Sequence, residues 1–435
     1  MLKKDVLKEL IADFHSEGLP ETRKRQLQVP LDTGKIVTLS GVRRCGKTFL
    51  LFESIKVLLA RRVPVRRILY INFEDERLTL SSDDLDLILQ AYRELYPDLS
   101  LKDCYFFFDE IQNVPAWEKF IRRVYDTVTK NIFITGSNSH FLGSEIATSL
   151  RGRVITHEVF PLSFKEYLWF HDAPGSPRSS ANRAKIAHHL GCYLTEGGFP
   201  ELPAINDVSL KNKVLQEYFN VMLYRDLIER YSITNLPVLR YFVRRVLESV
   251  TTPVSSNKIF NELKSQGYHV GKNTLYEFLD ATEAIYLFQI VKKYNPSVLK
   301  QDLGEKKAYV IDNGLLNAVT FKFSKDYGKL LENSVYLDLR MKGLLPFFYK
   351  DRRECDFIIQ DRSGNLHAVQ VAYSIDDPDT ARREIAGLLD VCRRLKIDRG
   401  TIVTFGEEDL LHEGDVTIKV LPAYKFFLGD MGMNS

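Results

Sequence analysis

Eight consecutive residues, Gly41-Val42-Arg43-Arg44-Cys45-Gly46-Lys47-Thr48, set two chain-bending glycines, a cation and a hydroxyl at the spacing G-x-x-x-x-G-K-[ST]. That spacing suits the wrapping of a polyphosphate. Gly41 and Gly46 permit a tight backbone path, Lys47 offers a cation to phosphate oxygens, and the Thr48 hydroxyl is a ligand for Mg²⁺. Phe49 opens the helix that follows, so the loop ends at the positive end of a helix dipole. Arg43, Arg44 and Cys45 complete the turn. A nucleoside triphosphate such as ATP is the ligand this chemistry implies.

A second chemical element follows about sixty residues later. Tyr105-Phe106-Phe107-Phe108 is wholly apolar and runs into Asp109-Glu110. An apolar run without alternation reads as a central strand of a parallel sheet. Carboxylates at the C-terminal end of such a strand stand where open α/β sheets bind ligands. Asp109 is then expected to support the Mg²⁺, and Glu110 to polarise the attacking water. Asn131-Ile132-Phe133-Ile134-Thr135-Gly136-Ser137-Asn138 is a further strand with a polar end, and Ser137 or Asn138 suits a sensor of the terminal phosphate. Arg151 or Arg153, in Leu150-Arg151-Gly152-Arg153, is the candidate to neutralise charge on the triphosphate of a neighbouring copy. Glu74 and Asp75 end another strand, where they either orient water or cap the helix near Ser81.

The elements that must position these groups alternate strand and helix. Residues 1–30 read as an amphipathic helix and a linker with the basic run Arg23-Lys24-Arg25. Strands are expected at 35–40, 67–73, 104–109, 131–136 and 154–160, giving a doubly wound parallel sheet over 31–160. From 161 to 235 the pattern is helical. Over 236–304 two short helices, a strand and a basic turn match a winged helix-turn-helix. Lys272, Asn273 and Thr274 are expected to open its recognition helix, with Lys292, Lys293, Lys300, Lys306 and Lys307 around the wing. Those cations suit phosphate contacts, whereas Glu277, Asp280 and Glu283 make the rest of the helix acidic. From 305 to 435 a last α/β unit is expected, with strands at 307–311, 346–350, 355–360 and 367–373.

Composition sets outer bounds. A chain of 435 residues suggests about three domains. A hydrophobic content of 45% and a charged content of 27% suit a globular chain with a sizeable core. The net charge of +3 gives no global field, so any nucleic-acid site must be a local patch. Five scattered cysteines without a C-x-x-C pair fit a reducing cytoplasm and argue against zinc. No apolar run reaches membrane-spanning length, and the charged start carries no signal-peptide pattern.

Taken in order, the phosphate loop, Asn72-Phe73-Glu74-Asp75, Phe108-Asp109-Glu110-Ile111-Gln112, Thr135-Gly136-Ser137-Asn138-Ser139 and the 150–153 segment resemble a prokaryotic family of AAA+-type ATPases with a C-terminal domain of unknown function. Tyr224-Arg225-Asp226-Leu227, Asp312-Asn313-Gly314-Leu315, Gly328 to Asn333 and Glu354-Cys355-Asp356-Phe357 extend the likeness over nearly the whole chain. The resemblance implies a P-loop parallel sheet, a helical lid (161–235), a winged helix and a C-terminal α/β restriction-endonuclease-like domain. In that last unit an active nuclease needs acidic metal ligands and a lysine. Glu332 and Asp356 are in place, but Gln370 and Ala372 replace the expected acid and lysine, so the nuclease activity is expected to be lost.

Two functional classes follow. The first is a Mg²⁺-dependent ATPase acting on duplex or branched DNA as a homo-oligomer. The second is a nucleotide-controlled switch that binds a protein partner or operator through its later domains.

Overall fold

A computed structural model of the chain describes residues 3–139, 150, 152–320, 326–361 and 363–430. The chain forms two compact units, residues 1–159 and 160–435.

The first unit is built on five parallel strands in the order β2-β3-β4-β1-β5: β1 (Ile36–Ser40), β2 (Ile68–Asn72), β3 (Tyr105–Asp109), β4 (Asn131–Gly136) and β5 (Val154–Glu158). Each lies within two residues of its expected span. The apolar runs explain the arrangement, since Phe106, Phe107 and Phe108 are fully buried although they alternate between faces. Burial of each contributes about 1.5–3 kcal/mol, which a strand with one wet face would forfeit at every second residue. Phe107 stacks on Phe133 of β4 at 4.6 Å between ring centroids. On the other face Phe106 and Phe108 join Tyr92, Ile121 and Val124 in one core. Helix α1 (Lys3–Glu17) buries Leu7 and Ile11 in that same core.

Register brings the polar strand ends to one edge. β1 pairs with β4 and β5, Ser40 opposite Gly136 and Glu158, while β3 pairs with β4 through Phe108 and Ile134. The residues after β1, β3 and β4 therefore emerge side by side. Helix α2 (Lys47–Ala60) starts from Gly46, whose φ of 97° is left-handed and favours glycine. No acidic residue stands in the first turn of α2, so its positive end is left for an external anion.

The second unit begins with helices Phe164–Phe170, Ser180–Glu196 and Val208–Val221, the last continuing as a π-helical stretch, Met222–Glu229. Then come helix Leu236–Glu248, strand β6 (Pro253–Val254), helices Ser256–Ser265 and Lys272–Ala284, and strands β7 (Phe288–Lys292) and β8 (Lys306–Val310). The three strands form an antiparallel sheet, β6-β8-β7. The strand expected to open the last α/β unit is thus the return strand of this small sheet, because β8 pairs along its whole length with β7, Phe288 opposite Val310 and Lys292 opposite Lys306. Between them the connection carries a short helix, Val298–Leu303, where the sequence suggests only a basic turn.

A six-stranded mixed sheet follows, ordered β13-β14-β12-β11-β10-β9 from β9 (Phe347–Lys350), β10 (Glu354–Gln360), β11 (Leu366–Val371), β12 (Arg399–Thr404), β13 (Asp409–Glu413) and β14 (Val416–Pro422). Helices Tyr327–Met341 and Pro378–Leu395 pack on it. Among the described residues no helix is long and apolar enough to cross a membrane.

Candidate functional site

The loop after β1 is shaped by close backbone approach. Gly41 N–H donates to Gly136 C=O at 3.2 Å, and Val159 N–H donates to Ser40 C=O at 2.7 Å. A Cβ on Gly41 would stand 2.1 Å from the Val159 carbonyl oxygen, so no side chain fits there. Arg44 has a φ of 65° and Gly46 one of 97°, which curls the loop over the start of α2. Arg43 reaches Glu74 at 2.6 Å. Cys45 is fully buried, its carbonyl accepts from Arg25 at 2.8 Å, and burial pushes its thiol pKa up. A buried, protonated thiol is poorly placed for oxidation.

Lys47 folds back into this curl. Its Nζ donates to the carbonyls of Gly41 (3.1 Å) and Val42 (3.2 Å) and lies 3.2 Å from Glu110 Oε1. Only 4% of its side chain is exposed. Burial works against the ammonium, but Glu110, Cys45 and Asp109 together outweigh it and the pKa of Lys47 rises. Glu110 shows the mirror effect: burial favours its neutral form, yet Lys47, Arg43 and the Gln112 amide hold its carboxyl below the usual range. Asp109 goes the other way, raised by burial and by the neighbouring Glu110 charge.

Asp109 is tightly held. Thr135 Oγ1 donates to its Oδ1, Tyr70 Oη donates to its Oδ2 at 3.0 Å, and Thr48 hydrogen-bonds to it as well. The Thr48 hydroxyl and the Asp109 carboxylate are thus adjacent, two oxygen donors of the kind Mg²⁺ takes alongside phosphate oxygens and water. The glycine-only curl, the buried lysine and this pair fit a Mg²⁺-bound triphosphate. Glu110 takes a left-handed conformation (φ 53°), its N–H donating to Thr135 Oγ1 at 2.8 Å.

Thr135, Tyr70 and Gln112 were not anticipated from the sequence. Thr135 had a readable signal: with Phe108 opposite Ile134, the next residues along β3 and β4 are Asp109 and Thr135. Ser137 is buried and within 3.3 Å of Gln112 Nε2, and the Asn138 carbonyl accepts from Ser40 Oγ at 2.9 Å. Glu74 contacts the loop through Arg43, while Asp75 binds Arg77. Neither caps the turn near Ser81, where Ser81 and Asp84 cap each other.

Arg151 lies outside the described residues. Arg153 forms a two-pronged ion pair with Asp126, Nε at 3.0 Å and Nη2 at 3.2 Å. It precedes β5, whose first residue, Val154, is level with Ile36 at the start of β1. Arg153 therefore stands at the sheet edge opposite the phosphate loop, about 17 Å away at 3.3 Å per residue. It cannot serve the triphosphate of its own chain.

In the second unit, Lys272 and Asn273 are exposed at the start of their helix, Thr274 is half-buried, and Lys272 Nζ lies 5.4 Å from the Phe260 ring centroid. Lys292 pairs with Asp302 at 2.7 Å, and Lys293 is half-buried with its N–H on the Glu305 carbonyl. Lys307, expected around a wing, is buried instead. It lies against Glu354 (2.8 Å), Glu332 (3.4 Å) and Asp356 (3.4 Å), so a lysine does reach the carboxylates of the C-terminal α/β domain, from β8 rather than from β11. Gln370 accepts from the Asp356 N–H and donates to Glu384. Among the described residues no group of three or more His, Cys, Asp or Glu is arranged to hold a metal ion.

Comparison with family models matches residues 33–168 to an AAA domain, 187–326 to a domain of unknown function (DUF8612) and 327–426 to a second (DUF4143). The uncharacterized protein MJ1544 of Methanocaldococcus jannaschii is 34% identical over 440 residues, covering 98% of this chain and 96% of the relative. An uncharacterized protein of Haemophilus influenzae is 31% identical over 348 residues, covering 80% and 84%. Among solved structures, AMPPCP-bound DnaA from Aquifex aeolicus aligns at 14% identity and a TM-score of 0.25, over 64% of this chain and 86% of that one. ORC1 of Aeropyrum pernix in complex with DNA aligns at 13% and 0.29, over 73% and 90%.

Proposed function

This chain belongs to a family of P-loop AAA+ ATPases, and on that premise we propose that it binds ATP with Mg²⁺ at Gly41–Thr48 and hydrolyses it with Glu110 as base. The energy is spent on DNA, and the working form is an oligomer. One observation carries the hydrolytic reading: the Lys47 ammonium is held 3.2 Å from Glu110 beside an Asp109 tied to Thr48.

In this reading Lys47 exchanges Glu110 for the phosphate oxygens. The carboxylate is then released beside the attacking water and loses the ammonium that depressed its basicity. Thr48 and Asp109 hold the Mg²⁺, which neutralises charge on the triphosphate when bound. Ser137 and the main chain around Asn138 meet the terminal phosphate. Arg153 acts on a neighbouring copy.

The order helix, strand, helix, helix, strand, short helix, strand over 236–310 supports a winged helix with a helical insertion between its last two strands, and Lys272, Asn273 and Thr274 as its nucleic-acid contacts. A second reading, a nucleotide-controlled switch docking a protein partner, is favoured by the wing itself. Val298, Leu299 and Leu303 are 68%, 67% and 79% exposed there, while Lys292 is spent on Asp302.

The test measures ATP turnover and particle size with and without duplex, single-stranded and four-way-junction DNA. Stimulation by DNA together with larger particles supports the DNA-acting ATPase. Slow turnover indifferent to DNA, from a monomer, supports the switch. Glu110→Gln should slow hydrolysis by roughly 10²–10⁴ with ATP binding spared, and unchanged turnover removes Glu110 as the base.

A further inference from the structure

Gln112 lies two residues beyond Glu110, in the short turn Ile111–Asn113 that follows β3. Its side-chain amide touches two parts of the site at once. Nε2 donates to Glu110 Oε2 and lies 3.3 Å from Ser137 Oγ. Its Oε1 is buried and has no protein partner. We propose, resting on the ATPase reading above, that Gln112 is a positioning residue that couples the polar end of β4 to the carboxylate of Glu110.

The donor count supports this. A primary amide nitrogen carries two hydrogens, and here one serves Glu110 while the other faces Ser137. Ser137 then accepts, which keeps its own proton for an incoming oxygen such as that of a terminal phosphate. The relay runs from phosphate to Ser137, to the Gln112 amide, to Glu110. Between the anionic phosphate at one end and the carboxylate at the other, each link is a neutral donor or acceptor.

Timing gives the relay its purpose. The Glu110 side chain is held by Lys47 and Gln112. Lys47 is the partner that a triphosphate takes away. From that moment Gln112 is what keeps the carboxylate in one rotamer, and a misplacement of about 1 Å costs about 10²-fold in rate. The left-handed backbone at Glu110 turns the next residues back toward that carboxylate, which lets a residue only two positions on reach it. A glutamate at 112 would repel Glu110, and an asparagine, one methylene shorter, would not span Glu110 and Ser137 together.

The experiment uses the full chain with Gln112→Ala, Gln112→Asn, Ser137→Ala and the Gln112→Ala/Ser137→Ala pair, beside Glu110→Gln. Turnover with MgATP and affinity for a fluorescent ATP analogue are both measured. Gln112→Ala should lower kcat about 10–100-fold while nucleotide affinity stays within about twofold. The double variant should be no slower than Gln112→Ala alone, since both changes cut one relay. Gln112→Asn should behave like Gln112→Ala. A wild-type kcat in Gln112→Ala overturns the proposal. So does a parallel loss of nucleotide affinity, because Gln112 would then only build the loop. Glu110→Gln at the wild-type rate refutes the base reading itself, whereas an inactive Glu110→Gln beside a fully active Gln112→Ala refutes the relay alone.

Discussion

Gly41→Ala tests whether the curl of the loop, rather than its charges alone, makes the site. The added methyl would stand 2.1 Å from the Val159 carbonyl oxygen, 3.0 Å from its carbon and 3.2 Å from Cys45 Sγ. The first of these neighbours is backbone, held by the Val159–Ser40 hydrogen bond at 2.7 Å, so no rotamer change relieves it. The loop and the end of β5 must therefore part by about 1 Å, a displacement of the size that costs an active site about 10²-fold in rate. Overpacking of this kind costs about 1–3 kcal/mol in stability. The variant should thus remain folded, with a modestly lowered unfolding midpoint. Its affinity for ATP and its turnover should fall together, because the Gly41 carbonyl also positions Lys47 at 3.1 Å. The assay is titration with a fluorescent ATP analogue, with phosphate release measured alongside and chemical denaturation as the folding control. Wild-type affinity and turnover in a folded Gly41→Ala protein would refute the reasoning, since the loop would then have room that the geometry denies it.

Other expectations follow from the same structure. Lys307→Met leaves three carboxylates around an apolar chain and should cost the second unit about 3 kcal/mol or more, read from urea denaturation; a loss under about 1 kcal/mol would mean the pairs are not coupled. Glu332 is pushed up to about 8, by burial first and then by Asp356, which is itself raised. The folded protein then holds protons that the unfolded chain releases, so stability should fall as pH rises from about 4.5 to about 8. Glu332→Gln should flatten that slope in denaturation curves taken across the window. Arg153→Ala should leave ATP affinity unchanged but lower turnover of the assembled protein by about 10³-fold or more if the side chain reaches a neighbour's triphosphate; an unchanged rate in an oligomer of unchanged size would confine Arg153 to its pair with Asp126.

What the sequence revealed divides along a physical line. The phosphate loop is contiguous, so eight residues carry its whole geometry. The β3 run closed by Asp109 and Glu110 was legible because a doubly buried strand has no polar residue until it leaves the sheet. Thr135, Tyr70 and Gln112 were not legible as partners of those carboxylates, because each depends on strand register or on the turn at Glu110. Lys307 was misplaced for a related reason. Counted along the chain it belongs to a basic wing, but β8 is antiparallel to β7, and its alternation turns Lys307 inward to Glu332, Glu354 and Asp356. Strands β12 to β14 went unassigned, since short segments such as Asp409–Glu413 carry little apolar periodicity.

The opposed placement of Lys47 and Arg153 bears on how copies of this chain can join. The two residues lie at opposite ends of the same strands. A two-fold pair brings one patch against the same patch, so it would not set the arginine of each copy on the phosphate loop of the other unless a single contact spanned both ends. A head-to-tail contact does so with one patch of each kind. If Arg153 serves a neighbour, the assembly is therefore directional: it closes into a ring or grows as a filament. An open filament would then have one terminal loop without an arginine, while a closed ring would have none.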